Sequence, residues 1–112
     1  MSKEISISYF QSYIKTKDYR PDLQEDYFYK IIENVGHLSE AIRRDFRLSD
    51  NDEIEDTVED ELYKVLYYVL ALANIYDINM EECINIEEKL NKDAYKRTNL
   101  KLYKGNTEKN IL

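Results

Sequence analysis

The stretch EDELYKVLYYVLALA, Glu59 to Ala73, decides the fold. It opens with charged residues at Glu59, Asp60, Glu61 and Lys64 and then runs through nine apolar positions in a row, Val65 to Ala73. Leu and Ala are good helix formers, and neither Gly nor Pro interrupts the run. A helix that is apolar all round must be buried all round. Nine residues cannot span a bilayer, which takes about 20. A four-helix chain of 112 residues has little surface with which to cover such a segment. A second subunit is therefore expected to complete its burial.

Three more helices flank this one. The first is expected over Lys3–Thr16, with Tyr9, Phe10, Tyr13 and Ile14 on one side at helical spacing. KDYRPDL ends it, because the residue before Pro21 is pushed out of the helical region, while Pro21 suits the first turn of the next helix. The second helix runs to about Phe46, with an apolar stripe of Tyr27, Ile31, Val35, Leu38, Ile42 and Phe46. Asp50 and Glu53 stand at capping-box spacing and place the start of the third helix near Asn51, with its end near Tyr76. Asn79 and Glu82 repeat that spacing at the head of a fourth helix ending near Asn91. The expected organisation is a helical domain over residues 1–92 and a basic tail over 93–112, expected to be partly disordered.

Composition narrows the class. Two Gly and one Pro leave too few turn signals for a sheet protein. The lone Cys83 excludes an internal disulfide framework, and MSKEISISYF lacks a signal-peptide core, so a cytoplasmic protein without a membrane span is expected. The net charge of −7 disfavours nucleic acid as a partner. That charge is uneven: residues 89–112 hold seven Lys/Arg and two acids, +5, which leaves −12 for the rest. This arm either meets phosphates or lies across an acidic body, its own or that of a partner subunit.

At 100° per residue, Glu33, His37, Glu40 and Arg44 share a narrow stripe of the second helix, with Asn34 at its border. Glu61 and Lys64, one turn apart, lead straight into the apolar run, where a carboxylate is costly unless compensated. Spacing alone leaves a solvated face and an i,i+3 ion pair as the simpler reading.

ENVGHLSEAI followed by EDELYKVLYYVLALA resembles the MazG-like, all-α NTP pyrophosphohydrolases, with their E-E-x-x-E and E-x-x-D motifs in frames such as EEVGELxxAI and EELxDVLxYLLxLA. The likeness runs from about Tyr9 to Arg97. It implies a four-helix MazG-like bundle completed by dimerisation, with tetramers also found in the family. It also implies Mg²⁺-dependent cleavage of nucleoside triphosphates to a monophosphate and pyrophosphate, with carboxylates holding ions that bridge the phosphates and activate a water. Gly36 matches the family Gly, where small size would let helices approach closely.

Carried over residue by residue, the metal motif is depleted. Glu33 and Glu61 are kept, but the second and third positions of the first motif are Asn34 and His37, and the Asp of the second is Lys64. With His37 neutral, a family set of −5 becomes −1 here. Mg²⁺ wants an octahedron of oxygens, which imidazole suits poorly. A divalent ion about 5 Å from an ammonium is repelled by roughly 6–7 kcal/mol at an effective dielectric near 20, or around four to five decades of affinity. The expectation is that the Lys64 ammonium stands where a cation would and neutralises Glu33 and Glu61. Lys89, Lys92, Lys96 and Arg97 match basic residues that help hold phosphates in the family, although a solvated helix end also favours cations.

Three functions follow. The first is an impaired family member that binds a nucleotide or a protein. The second is an active Mg²⁺ enzyme recruiting neighbours such as Glu40 or Asp60, with Mn²⁺ or Zn²⁺ on Glu33, His37 and Glu40 as a variant. The third is a structural adaptor. No phosphate-binding Gly-rich loop, zinc spacing or nucleophile elbow is present.

Overall fold

The computed structural model describes residues 4–103, with side chains to residue 93. The described residues are all-α: α1 (Ile7–Lys17), α2 (Gln24–Arg43), α3 (Val58–Ile75) and α4 (Met80–Tyr103), with short 3-10 turns at Pro21–Leu23 and Leu48–Asp50. The chain divides into two compact units, Met1–Met80 and Glu81–Leu112. None of the described helices is long and apolar enough to cross a membrane.

Local chemistry sets the helix ends, and in several places not where the sequence suggested; α2, for one, ends at Arg43 rather than near Phe46. α1 starts at Ile7 rather than Lys3, because the Ser6 hydroxyl accepts the Tyr9 N–H. α3 starts at Val58 rather than Asn51, so Asp50 and Glu53 do not cap it. Its N-cap is Thr57, fully buried, whose hydroxyl accepts the Asp60 N–H while the Asp60 carboxylate accepts the Asp56 N–H at 2.8 Å. Arg47 and the Leu48 N–H both donate to Glu59, and the Val58 N–H donates to the Phe46 carbonyl, so the connecting loop is clasped to the head of α3. α4 continues to Tyr103, past the expected end near Asn91 and through the first part of the expected tail; residues 104–112 lie outside the described residues.

In the first unit, Ile14, Tyr27, Leu70 and Ala71 form the core, with Ile7, Phe10, Leu23, Tyr67, Tyr68, Leu72, Ile75 and Met80 packed against it. Gln11 and Asn74 cross this core as a reciprocal pair. The Gln11 amide donates to Asn74 Oδ1 at 3.1 Å, and the Asn74 amide donates to the Gln11 carbonyl at 2.9 Å. The Tyr27 and Tyr67 hydroxyls both donate to Asp18, and burial, first of all, raises the Tyr67 phenol to about 12.

The buried edge of α2 differs from the expected stripe. Tyr27, Asn34 and Ala41 are buried with Ile31 and Leu38 beside them, whereas Val35 and Ile42 are 48% and 58% exposed. Phe28, Ile32, Val35 and Ile42 instead form an outer apolar row, about a quarter-turn from the buried edge. The apolar run of α3 is likewise only partly covered: Leu70, Ala71 and Ala73 are buried, while Leu66, and Leu62 one turn before it, stay exposed. Gly36 has no heavy atom within 4 Å of the place its Cβ would take, so no close helix approach requires it here.

Candidate functional site at the head of helix α3

Helices α2 and α3 run antiparallel. The end of α2 bonds to the start of α3 through Phe46 and Val58, and the Tyr76 hydroxyl after α3 donates to Gln24 at the start of α2. This pairing sets the last turns of α2, from His37 onward, against the first turns of α3, where the carboxylates lie.

Glu61 is the centre of the arrangement. It is 3% exposed, and its Oε1 has no hydrogen-bond partner among the described residues. His37 reaches across from α2 and puts Nδ1 4.0 Å from that oxygen. The Lys64 ammonium lies 3.9 Å from Glu61 Oε2 and 3.2 Å from Asp60 Oδ2. Partial burial pulls the Lys64 pKa down, but the hydrogen bond to Asp60 and the fields of Asp60, Glu61 and Asp56 outweigh it and hold the ammonium above the ordinary lysine value. Asp56, Asp60 and Glu61 bring one ligand atom each within 4.8 Å of one another.

The other predicted positions are engaged elsewhere. Glu33 is exposed and pairs with Lys30 at 3.5 Å, so Lys64 neutralises Asp60 and Glu61 rather than Glu33 and Glu61. Asn34 is buried, and its amide donates to the Lys30 carbonyl one turn back at 2.7 Å. Glu40 pairs with Arg43 on its own helix. Lys89 and Lys92 are exposed on α4, and the side chains of Lys96 and Arg97 lie outside the described residues. Asp56 was not foreseen. Its signal is the D-T-x-x-D pattern, which makes a reciprocal cap and so draws Asp56 and Asp60 together.

Mg²⁺ at the five motif positions would need an octahedron of oxygens. Among those positions only Glu61 presents a buried carboxylate to the α2–α3 contact, and its orphaned Oε1 faces an imidazole nitrogen. Lys64 adds a charge of the wrong sign beside its other oxygen. These residues do not fit Mg²⁺.

The crystal structure of Ctag-iMazG from Vibrio DAT 722 matches this chain at 48% identity and a TM-score of 0.74, covering 79% of this chain and 99% of that one. The chain belongs to the MazG-like family. A second MazG match, Ntag-iMazG from Vibrio DAT 722, is 44% identical with a TM-score of 0.71, covering 81% of this chain and 98% of that one. No family model and no curated protein matches the sequence. In this MazG-like chain the fold is therefore intact while an ammonium, Lys64, stands among the acids at the head of α3. That contrast, a family fold with an ammonium among its acids, is what a functional reading has to explain.

Proposed function

We propose that this chain is a MazG-like protein whose Mg²⁺-dependent pyrophosphohydrolase chemistry is impaired, and that it acts by binding a nucleotide or a protein partner. One observation carries this: the Lys64 ammonium lies within 4 Å of Glu61 and Asp60, where an attacking water and bridging ions would need unshared carboxylates. Metal-assisted hydrolysis loses both its Lewis acid and its activated water when the ion has no berth. The solitary Cys83 agrees with a reducing, cytoplasmic setting.

The working form we infer is a homodimer. Phe28, Ile32, Val35 and Ile42 on α2 and Leu62 and Leu66 on α3 leave an apolar face bare. In an antiparallel pair, rows rotated in the same sense from the shared contact emerge on the same side, here away from Lys64 and His37. A contiguous exposed apolar face of this kind marks an interaction surface.

The test is pyrophosphate release from standard and modified dNTPs with Mg²⁺, alongside melting curves with the same nucleotides. Nucleotide-dependent stabilisation without turnover is expected. Mg²⁺-requiring turnover would overturn the proposal in favour of the active enzyme.

A further inference from the structure

The acids at the head of α3 form a larger cluster than the family motif describes. Asp56 and Asp60 are not motif positions, yet they stand with Glu61 within 4.8 Å. That is about the 4–5 Å span between oxygens on opposite sides of a divalent ion bound at 2.0–2.6 Å. The cap explains why two of them meet: the Asp56 N–H is tied to Asp60 Oδ2. It does not explain Glu61, whose buried carboxylate stands in the cluster with its Oε1, the oxygen that faces His37, lacking a hydrogen-bond partner among the described residues. A buried acceptor left unbonded is costly, so something that would satisfy it is missing. His37 Nδ1 lies 4.0 Å from that oxygen, beyond hydrogen-bond distance. The compensating charge is Lys64, whose side chain is 36% exposed and therefore able to swing outward.

We propose that Asp56, Asp60 and Glu61, with His37 Nδ1 as a fourth donor, form a latent divalent-cation site that the Lys64 ammonium keeps closed. The site is displaced toward the loop before α3, away from Glu33 and Asn34. It rests on the reading that Lys64 stands in for an ion, and it adds where an ion goes once that ammonium is removed. Mixed carboxylate and imidazole donors suit Mn²⁺ better than Mg²⁺, which dehydrates reluctantly and demands oxygen.

The experiment measures Mn²⁺ affinity of the full chain, by the electron-spin signal of free Mn²⁺ and by the melting temperature. It compares the unmodified protein, Lys64→Ala, and Lys64→Ala with Asp56→Asn. Asp56 sits at φ 67, a left-handed conformation that Asn tolerates, so the second change spares the loop. Lys64→Ala is expected to bind Mn²⁺ about 30-fold more tightly than the unmodified chain or better, and Asp56→Asn is expected to reverse most of that gain. Equal affinity of Lys64→Ala and the unmodified chain overturns the site, and so does a gain that survives Asp56→Asn. Lys64→Gln, which keeps the stem, replaces Lys64→Ala if the latter fails to fold. Nucleotide turnover by the unmodified chain would overturn the functional proposal and leave this comparison intact. A missing gain in affinity would do the reverse.

Discussion

Replacing Lys64 with Met removes an ammonium that faces two carboxylates at 3.2 and 3.9 Å. At an effective dielectric near 20 those contacts are about 5 and about 4 kcal/mol of Coulomb attraction. Most of that is offset by desolvation of the charges and by ordering of the lysine chain. Exposed pairs are worth about 0–1 kcal/mol, whereas removing one partner of a buried pair costs about 3–5 kcal/mol. Here one partner is deeply buried while Lys64 is about one-third exposed, so the loss falls between these limits. Lys64→Met is expected to lower stability by about 1–3 kcal/mol. Glu61→Leu in the same chain removes the buried charge and its orphaned oxygen together, and the double variant should recover at least about 1 kcal/mol relative to additive losses. Urea unfolding of the two single variants, the double variant and the unmodified chain at neutral pH gives the coupling directly. Lys64→Met as stable as the unmodified chain, with zero coupling, would refute the idea that Lys64 compensates Glu61.

Gly36→Ala should raise stability by about 0.5–1 kcal/mol, since the added Cβ meets nothing and helical Gly is entropically costly; a drop in melting temperature would instead indicate the close approach that the family likeness suggested. Glu59, held by Arg47 first of all and by the Leu48 N–H, titrates at about 2 rather than 4.5. Its contribution is complete above the unfolded value of 4.5 and fades as pH falls toward 2, so Arg47→Ala should flatten the pH dependence of the urea midpoint in that window. Leu66→Lys or Val35→Asp should shift sedimentation from dimer to monomer while helicity is retained; an unmodified chain that is monomeric at every concentration would contradict the apolar-face assignment.

The all-α architecture was open to reading because period and composition agree over long stretches. VLYYVLALA cannot be a loop, and Pro21 and the Gly-poor connections divide the rest. The rotation of α2 was harder. Phe28 and Ile32 make a second apolar row beside Ile31 and Leu38, and hydrophobicity alone cannot say which row meets α3 when both are apolar. Burial of Asn34 inverted the expectation there, because its amide is satisfied by its own helix and no longer resists the core. Asp50–Glu53 and Thr57–Asp60 are both plausible caps on paper; the Val58–Phe46 backbone bond and the Glu59 clasp select the second. For the site, i,i+3 and i,i+4 spacing foretells that Lys64 can reach Glu61 and Asp60. Whether Glu33 joins them depends on how α2 is turned against α3, which no local pattern encodes.

The most direct measurement is a magnesium titration of the unmodified chain, followed by NMR of the Lys64 ammonium and the Glu61 carboxylate. If the ammonium already fills the cation's place, both signals stay where they are to millimolar Mg²⁺. A saturable shift of both, with Lys64 released toward solvent, would contradict it.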